Sequence, residues 1–171
     1  MWSKIFKQLP NARLRIQSKP LSDKNIVGQL LSRLVRYGID ETQVITHGAS
    51  TREDYLNAHS QVDFILDTFP YTGGTTTCEA LWMGVPTLTL MGDTLISRQG
   101  ASLLSAAGLN DWVVDNQTQY VEKAISFASD LNALAKRRAT LREQVLSSPI
   151  FDAKQFARNF ENVLWEINSV T

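Results

Sequence analysis

The sequence predicts an α/β fold, in which a parallel β-sheet is covered by helices on both faces. Short apolar runs alternate with longer stretches whose apolar residues recur at helical spacing, so each strand is followed by a helical crossover. The chain has 171 residues, of which 43% are hydrophobic and 20% charged, a composition typical of one globular domain. We therefore expect a single domain over residues 1–171, with a helical C-terminal segment from about residue 117.

In the first half of the chain, helices are predicted where apolar residues recur every three or four positions, and strands where short runs alternate or are wholly apolar. Pro10 and Gly38 end the first two helices, and Ser22 or Asp23 caps the second. The predicted order is helix 2–9, strand 14–17, helix 25–37, strand 44–46, helix 52–59 and strand 62–67.

The second half begins with the same alternation and ends in helices alone. Gly84 and Gly108 each end a predicted helix. Three apolar stripes at helical spacing follow the last strand, and no further strand is predicted. The predicted order is helix 75–83, strand 87–90, helix 95–107, strand 112–114, and helices 117–128, 130–146 and 153–168.

Charge and cysteine content exclude several classes of protein. The 17 basic and 17 acidic residues cancel, which argues against nucleic acid as a partner, because such binding rests on neutralising phosphates. No apolar run reaches 18 residues and no signal peptide begins the chain, so we expect no membrane association and a cytoplasmic location. The single cysteine, Cys78, is interpreted as a small core residue, and His47 with His59 cannot supply a metal site.

The densest polar motif follows the strand that ends at Asp67. Gly73 and Gly74 precede three threonines that open a helix, and the first turn of a helix leaves backbone N–H groups free and carries partial positive charge. The motif therefore predicts a cradle for a diphosphate. The alternative is a capping box, in which Thr76 and Glu79 serve only the helix end.

Three further polar side chains are candidates for the same site. Glu79 lies one turn into the helix, where a carboxylate can accept hydrogen bonds from both hydroxyls of a ribose. Arg52 and Tyr55 follow the strand at 44–46 and offer a cation and a flat ring; the alternative for them is a solvated surface pair. The basic run from Lys136 to Arg138, with Arg142, is interpreted as a solvated helix face.

The run from Leu66 to Leu104 resembles the C-terminal catalytic region of the O-linked N-acetylglucosamine transferase family, which includes SPINDLY-like and bacterial tetratricopeptide-fused members. The similarity continues through residues 147–152 and the closing helix, and so covers essentially the whole chain. It implies the C-terminal Rossmann-like half of a GT-B glycosyltransferase, the half that holds most of the UDP-sugar donor.

The resemblance also implies roles for residues of the candidate site. The diphosphate contacts of the family fall on Thr75 and Thr76, and its ribose-binding acid falls on Glu79, where animal members have aspartate. The lysine that contacts the ribose falls on Arg52, which keeps the charge but not the shape.

The base-binding residues of the family fall on the loop after the second strand. The residue that packs on uracil falls on Tyr55, where animal members have histidine. The edge of the uracil would meet backbone near Ser50. Gly74 stands where the animal enzymes have a histidine, so the contribution of that side chain is absent here.

The reaction that the resemblance implies is inverting transfer of a sugar, typically N-acetylglucosamine, from UDP to a protein serine or threonine. The family needs no metal or other cofactor, and electrostatic stabilisation of the leaving diphosphate carries the catalysis. Two alternatives stay open: a GT-B domain for another nucleotide sugar or acceptor, and a degenerate non-catalytic interaction domain.

The essential lysine of the family lies near the end of a strand that would precede residue 1. In the usual strand order that strand is central, so we expect a gap in the sheet, closed by strand rearrangement or by a partner such as a second copy. No catalytic residue of the family falls within the chain, and we expect the isolated chain to be inactive as a transferase.

Overall fold

A computed structural model describes residues 1–169, and the α/β class is confirmed. Every predicted helix and strand is present, although the third and fifth strands are shorter than expected. Residues 170 and 171 of the predicted single domain lie outside the described residues. The elements are α1 (Trp2–Gln8), β1 (Leu14–Gln17), α2 (Lys24–Arg36), β2 (Val44–His47), α3 (Arg52–Asn57), β3 (Ile65–Leu66), α4 (Thr75–Trp82), β4 (Thr87–Leu90), α5 (Leu95–Ala106), β5 (Val113–Val114), α6 (Gln117–Ser129), α7 (Leu131–Leu146) and α8 (Ala153–Ser169).

The strands form two parallel sheets. β1 pairs with β2, with Leu14 opposite Val44. β4 lies between β3 and β5 and pairs with both, with Leu66 opposite Leu88. Within residues 1–169 no ladder joins the two sheets, and the two groups of strands are the ones expected on either side of the missing strand.

The expectation that strand rearrangement closes this gap is wrong for the described part of the chain. Neither sheet recruits an extra strand, because every apolar run long enough to pair already lies in β1–β5 or in a helix. Closure by a partner molecule stays a prediction.

The hydrophobic core surrounds β4, whose four residues are all buried. Burial on both faces is what a central parallel strand requires, and its wholly uncharged sequence fits that position. Ile5 and Phe6 bring α1 into the same core, together with Trp112, Tyr120 and Leu141 from the second half of the chain. The first helix is therefore an integral part of the core.

Helix ends agree with the sequence signals. The side chain of Asp23 accepts the N–H of Asn25 and caps α2. Gly38, Gly84 and Gly108, which follow α2, α4 and α5, all have a positive φ, a conformation that other residues adopt only with strain. These glycines let the chain reverse towards the next strand.

The predicted solvated face of α7 is wrong at Arg138. Its guanidinium donates hydrogen bonds to the carbonyls of Val62 at 2.6 Å, His59 at 3.3 Å and Gly84 at 3.4 Å. A planar cation with several fixed donors can satisfy carbonyls from two loops at once, which a run of basic letters does not reveal. Arg142 in the same run lies 5.2 Å from the centre of the Trp82 ring.

The last helix, α8, leaves its apolar stripe uncovered. Every residue of α8 is exposed, including Phe156, Phe160 and Trp165. Among the described residues, no helix has the length and apolar character that crossing a membrane requires.

Candidate functional site

The first candidate residues lie on α3, which is separated from β2 by four residues. The hydroxyl of Thr51 accepts the N–H of Asp54 at 3.1 Å and so caps this helix. The cap fixes the start of the helix at Arg52, and Tyr55 lies three residues further on. Residues at this spacing share one helix face, so the cation and the ring point the same way.

Arg52, Tyr55 and Glu79 converge between α3 and α4. Arg52 Nη1 lies 2.5 Å from Glu79 Oε1, and the guanidinium carbon lies 5.8 Å from the centre of the Tyr55 ring. The Tyr55 phenol also interacts with the Glu79 carboxylate, which contributes to its raised pKa. Arg52 and Tyr55 therefore do more than form a solvated pair, because together they tie the loop after β2 to the helix after β3.

Tyr55 is a neutral group held next to a carboxylate. Burial, together with the hydrogen bond to Glu79, raises the pKa of its phenol to about 12. The ring consequently stays uncharged over the physiological range, and its apolar face is suited to packing against a planar ligand.

The start of α4 is free of side-chain caps. Gly74 is the N-cap residue, and its carbonyl accepts the N–H groups of Thr77 and Cys78. Within residues 1–169 the N–H groups of Thr75 and Thr76 have no acceptor. The capping-box alternative is wrong, because the helix begins before Thr76 and the Glu79 side chain bonds to Arg52 and Tyr55 instead. These amides are available to an anion.

The segment 68–74, here called the glycine loop, carries two glycines with different surroundings. A Cβ at Gly73 would lie 2.5 Å from Thr77 Oγ1 and 2.9 Å from Thr76 Oγ1, so no side chain fits there. A Cβ at Gly74 would meet only Gln99 Oε1, at 3.2 Å. Gln99, on α5, was not singled out in the sequence, because nothing in its spacing relates it to the loop.

Ser50 lies apart from the Arg52–Tyr55–Glu79 group. Its hydroxyl accepts a hydrogen bond from Gln17 Nε2 at 2.9 Å, and it lines a cavity of about 340 Å³ at the carboxyl ends of β1 and β2. Whether a base meets the backbone here stays a prediction. The cavity is also lined by Arg15, Gln17, His47, Asp54, Asn57 and Gln61.

One wall of this cavity is a hydrogen-bond network that sequence reasoning missed. Arg15 bonds to His47 Nε2 at 2.7 Å, to Gln61 Oε1 at 3.0 Å and to Gln17 Oε1 at 3.1 Å. Burial and the neighbouring Arg15 lower the pKa of His47, so this ring is a neutral acceptor near pH 7. The alternation of Arg15 and Gln17 on β1 was the available signal, since both face one side of a strand.

The remaining histidine and the cysteine, His59 and Cys78, are packed within the fold. His59 is buried, with Nδ1 near the carbonyls of Tyr55 and Leu56. Cys78 is half-buried, and burial raises the pKa of its thiol. In the part of the chain that the structure describes, no three His, Cys, Asp or Glu side chains come together in a group that could hold a metal ion.

Comparison with known proteins decides the family. The family model described as glycosyl transferase family 41 matches residues 1–160. The chain belongs to glycosyl transferase family 41. This membership confirms the resemblance of the run from Leu66 to Leu104 to O-linked N-acetylglucosamine transferases.

Family 41 relatives are similar to the chain over almost its whole length. A probable UDP-N-acetylglucosamine–peptide N-acetylglucosaminyltransferase SPINDLY from Solanum lycopersicum is 38% identical over 164 residues, which is 95% of this chain and 18% of the relative. A UDP-N-acetylglucosamine–peptide N-acetylglucosaminyltransferase from Caenorhabditis elegans is 28% identical over 167 residues, 98% of this chain and 14% of the relative. The chain thus spans under a fifth of the length of these relatives.

Solved structures include a similar fold. A point mutant of the O-GlcNAc transferase of Thermobaculum terrenum superposes with a TM-score of 0.90 at 36% identity. The match covers 95% of this chain and 31% of that chain. The fold is therefore that of part of a family 41 catalytic region of the GT-B type.

Proposed function

We propose that the chain is the donor-nucleotide-binding part of a glycosyltransferase that moves N-acetylglucosamine from UDP to protein serine or threonine. The observation that carries this proposal is the convergence of Arg52, Tyr55 and Glu79 beside the uncapped start of α4. The relatives in Solanum lycopersicum and Caenorhabditis elegans are named as probable and actual UDP-N-acetylglucosamine–peptide N-acetylglucosaminyltransferases, which supports the donor and the transfer to a peptide.

The diphosphate would bind at the start of α4. There the N–H groups of Thr75 and Thr76 are free, the two hydroxyls add donors, and the backbone N–H of Gly74 precedes them. These groups would stabilise the charge that develops on the leaving diphosphate, which is the largest contribution that such a site makes to catalysis.

The nucleoside would bind between α3 and α4. Glu79 is placed to accept the ribose hydroxyls, with Arg52 beside it, and the Tyr55 ring would pack against the base. Ser50 lies at the cavity beside α3, where its backbone would meet the edge of the base.

We propose that this chemistry uses no cofactor and no metal ion. The helix N-terminus and Arg52 would supply the positive charge that a metal supplies in other transferases. Transfer by the full-length protein should continue in excess EDTA. Loss of activity in EDTA, with recovery on adding Mg²⁺ or Mn²⁺, would contradict this part of the proposal.

The whole protein is proposed to be a cytoplasmic, bacterial enzyme of the tetratricopeptide-fused type. Likeness to the O-GlcNAc transferase of Thermobaculum terrenum supports the bacterial origin, and the single cysteine suits a reducing compartment. Sequencing the gene upstream of the codon for Met1 tests whether tetratricopeptide repeats precede the chain.

Calorimetric titration of the full-length protein with UDP tests the site. Glu79→Ala should weaken binding by about tenfold or more, because it removes a charged partner of the ribose. Glu122→Ala, which removes an exposed carboxylate on α6, is the matched control and should bind UDP as the natural protein does.

The two alternatives predict other outcomes of the same titration. Tighter binding of another nucleoside diphosphate than of UDP would indicate a different donor. Binding of none would favour a non-catalytic interaction domain.

The proposed partners are UDP-N-acetylglucosamine and an acceptor protein, without nucleic acid or membrane. The unpaired sheet edges also predict a second copy as a partner, which sedimentation at increasing concentration would detect.

A further inference from the structure

A buried carboxylate lies directly behind the glycine loop. Asp67 is only 7% exposed, and both of its oxygens accept hydrogen bonds. Oδ1 accepts the N–H of Thr68 at 3.0 Å and of Gly73 at 2.8 Å, while Oδ2 accepts the hydroxyl of Thr89 at 2.6 Å. The carboxylate therefore joins the two ends of the loop to the central strand β4.

The surrounding elements hold Asp67 in place. The Tyr120 hydroxyl donates to the Asp67 carbonyl at 2.8 Å and itself interacts with the side chain of Trp2. A Cβ at Gly100 would lie 2.6 Å from Asp67 Oδ2, so α5 packs directly against the carboxylate. Helix α5 thus packs against this side chain, and α6 holds its backbone.

A second attachment secures the same loop. The fully buried Thr72 donates its hydroxyl to the carbonyl of Ile96 at 2.8 Å and accepts the N–H of Gly100 at 3.1 Å. The hydroxyl is inserted between two backbone groups of α5 that are four residues apart. Thr72 and Gly73 are therefore both anchored inward, immediately before the free amides of the α4 start.

The contacts of Asp67 and Thr72 are suited to holding the glycine loop in place before a ligand binds. Hydrogen-bond donors stabilise a bound anion best when their positions are fixed before it arrives, because no free energy is then spent on ordering them. Burial raises the pKa of Asp67, and its hydrogen bonds with Thr89, Gly73 and Thr68 oppose that shift. All three partners donate, which is the pattern that an ionised carboxylate requires.

We propose that Asp67 is a positioning residue for the donor nucleotide, which acts by holding Gly73 so that the N–H groups of Gly74, Thr75 and Thr76 are ordered for the diphosphate. This inference rests on the proposed function only for the identity of the ligand. The ordering of the glycine loop is independent of the proposed function, because it is measurable without any ligand.

The test measures amide hydrogen exchange and UDP affinity in the full-length protein. Asp67→Ala removes both acceptors, and we expect exchange across residues 68–77 and the UDP dissociation constant each to rise by about tenfold or more. Asp67→Asn keeps one acceptor oxygen, and the Thr89 hydroxyl can turn to accept from its amide. We expect that variant to lie closer to the natural protein in both measurements.

Val85→Ala is the control for a purely structural role. Val85 is fully buried beyond the end of α4, outside the site, so this variant lowers the melting temperature without touching the loop. It should leave UDP affinity and exchange across residues 68–77 unchanged.

The outcomes separate the two proposals. Unchanged exchange across residues 68–77 in both Asp67 variants would overturn the positioning role, as would an equal rise in Val85→Ala. If Asp67→Ala does not fold, Asp67→Asn decides: it should still raise exchange across residues 68–77 and the UDP dissociation constant measurably, and no rise in either would overturn the positioning role. Absence of UDP binding by the natural protein would refute the proposed function, and the exchange measurement would still decide whether Asp67 orders the loop.

Discussion

At the scale of single residues, the site combines an exposed cation with a shielded carboxylate. Arg52 is 65% exposed and Glu79 only 12%, so the ion pair between them is open to solvent on one side. Exposed pairs of this kind contribute at most about 1 kcal/mol to the free energy of folding. The stability of the fold therefore depends little on this pair.

The two glycines of the glycine loop make a matched pair for testing the site. Gly73→Ala should weaken UDP binding by about tenfold, because the new methyl would displace the hydroxyls of Thr76 and Thr77. Gly74→Ala should change it less than about threefold, since only the side-chain end of Gln99 must move. Titration calorimetry on both variants measures this; equal losses would contradict the proposed loop geometry.

The phenol of Tyr55 predicts a pH dependence of stability. Its pKa is about 12 in the folded chain and near 10 when unfolded, so folding favours the neutral form. The resulting stabilisation is complete below pH 10 and is lost as the pH rises from 10 to 12. Chemical unfolding of Tyr55→Phe should show a weaker fall in stability over this range than the natural chain.

Tyr37→Phe is the control for that experiment, because Tyr37 is 71% exposed and far from the carboxylates of the site. Its unfolding free energy should follow that of the natural chain across the whole pH range. Parallel curves for Tyr55→Phe and the natural chain would show that the phenol is not held neutral by its surroundings.

At the scale of elements, one helix joins two loops of the fold and another has no buried side chain. α7 binds the loop before β3 and the turn after α4 through Arg138, whereas α8 buries no side chain. Both segments carry apolar residues at helical spacing in the sequence, but the role of each helix depends on what it packs against.

Arg138→Ala should lower the free energy of unfolding by about 2 kcal/mol, because three backbone carbonyls lose a charged donor. Arg137→Ala is the neighbouring control. It removes only a surface ion pair with Asp111 at 2.9 Å and should cost less than about 1 kcal/mol. Urea unfolding measures both values, and equal losses would indicate that Arg138 is solvated after all.

Deleting the chain from Ala153 onward should shift the melting temperature by no more than about 2 °C, because no side chain of α8 is buried. Phe6→Ala, which opens a cavity under α1, should cost about 3 kcal/mol and lower the melting temperature clearly. Circular dichroism melts compare the two. A larger shift on deletion than on cavity formation would show that α8 packs against the core in solution.

At the scale of the whole molecule, the described sheets are incomplete as a catalytic fold. The strands divide into a pair and a triplet with no ladder between them, and the chain corresponds to 31% of the solved bacterial enzyme. The donor site proposed here lies on the loops after β2 and β3, which belong to different sheets. The geometry of the proposed site therefore depends on how the two sheets lie relative to each other.

The 171-residue chain by itself should transfer no sugar from UDP-N-acetylglucosamine to an acceptor peptide. The lysine strand and the acceptor-binding surface that the family resemblance implies are not in its sequence. A radiolabelled transfer assay, with the full-length protein as the positive control, measures this. Detectable transfer by these residues alone would mean that the chain already contains every group that the reaction needs.

Residue patterns predicted the order of all helices and strands and the start of α4, because apolar periodicity and glycine stops are local properties. The same patterns did not predict the network of Arg15, His47 and Gln61, whose members lie up to 46 residues apart. They also left open a capping box between Thr76 and Glu79. Local spacing allows that pairing, but Arg52 and Tyr55, brought in from α3, bind the same carboxylate.

Local periodicity and one contiguous motif were enough to predict the α/β class, the succession of elements, the family and the residue types of the proposed donor site. The packed fold was needed to show that Arg52 pairs with Glu79, that Arg138 joins two loops, and that Asp67 anchors Gly73. These contacts join residues from different elements, so they depend on how helices and strands pack, which no single segment encodes.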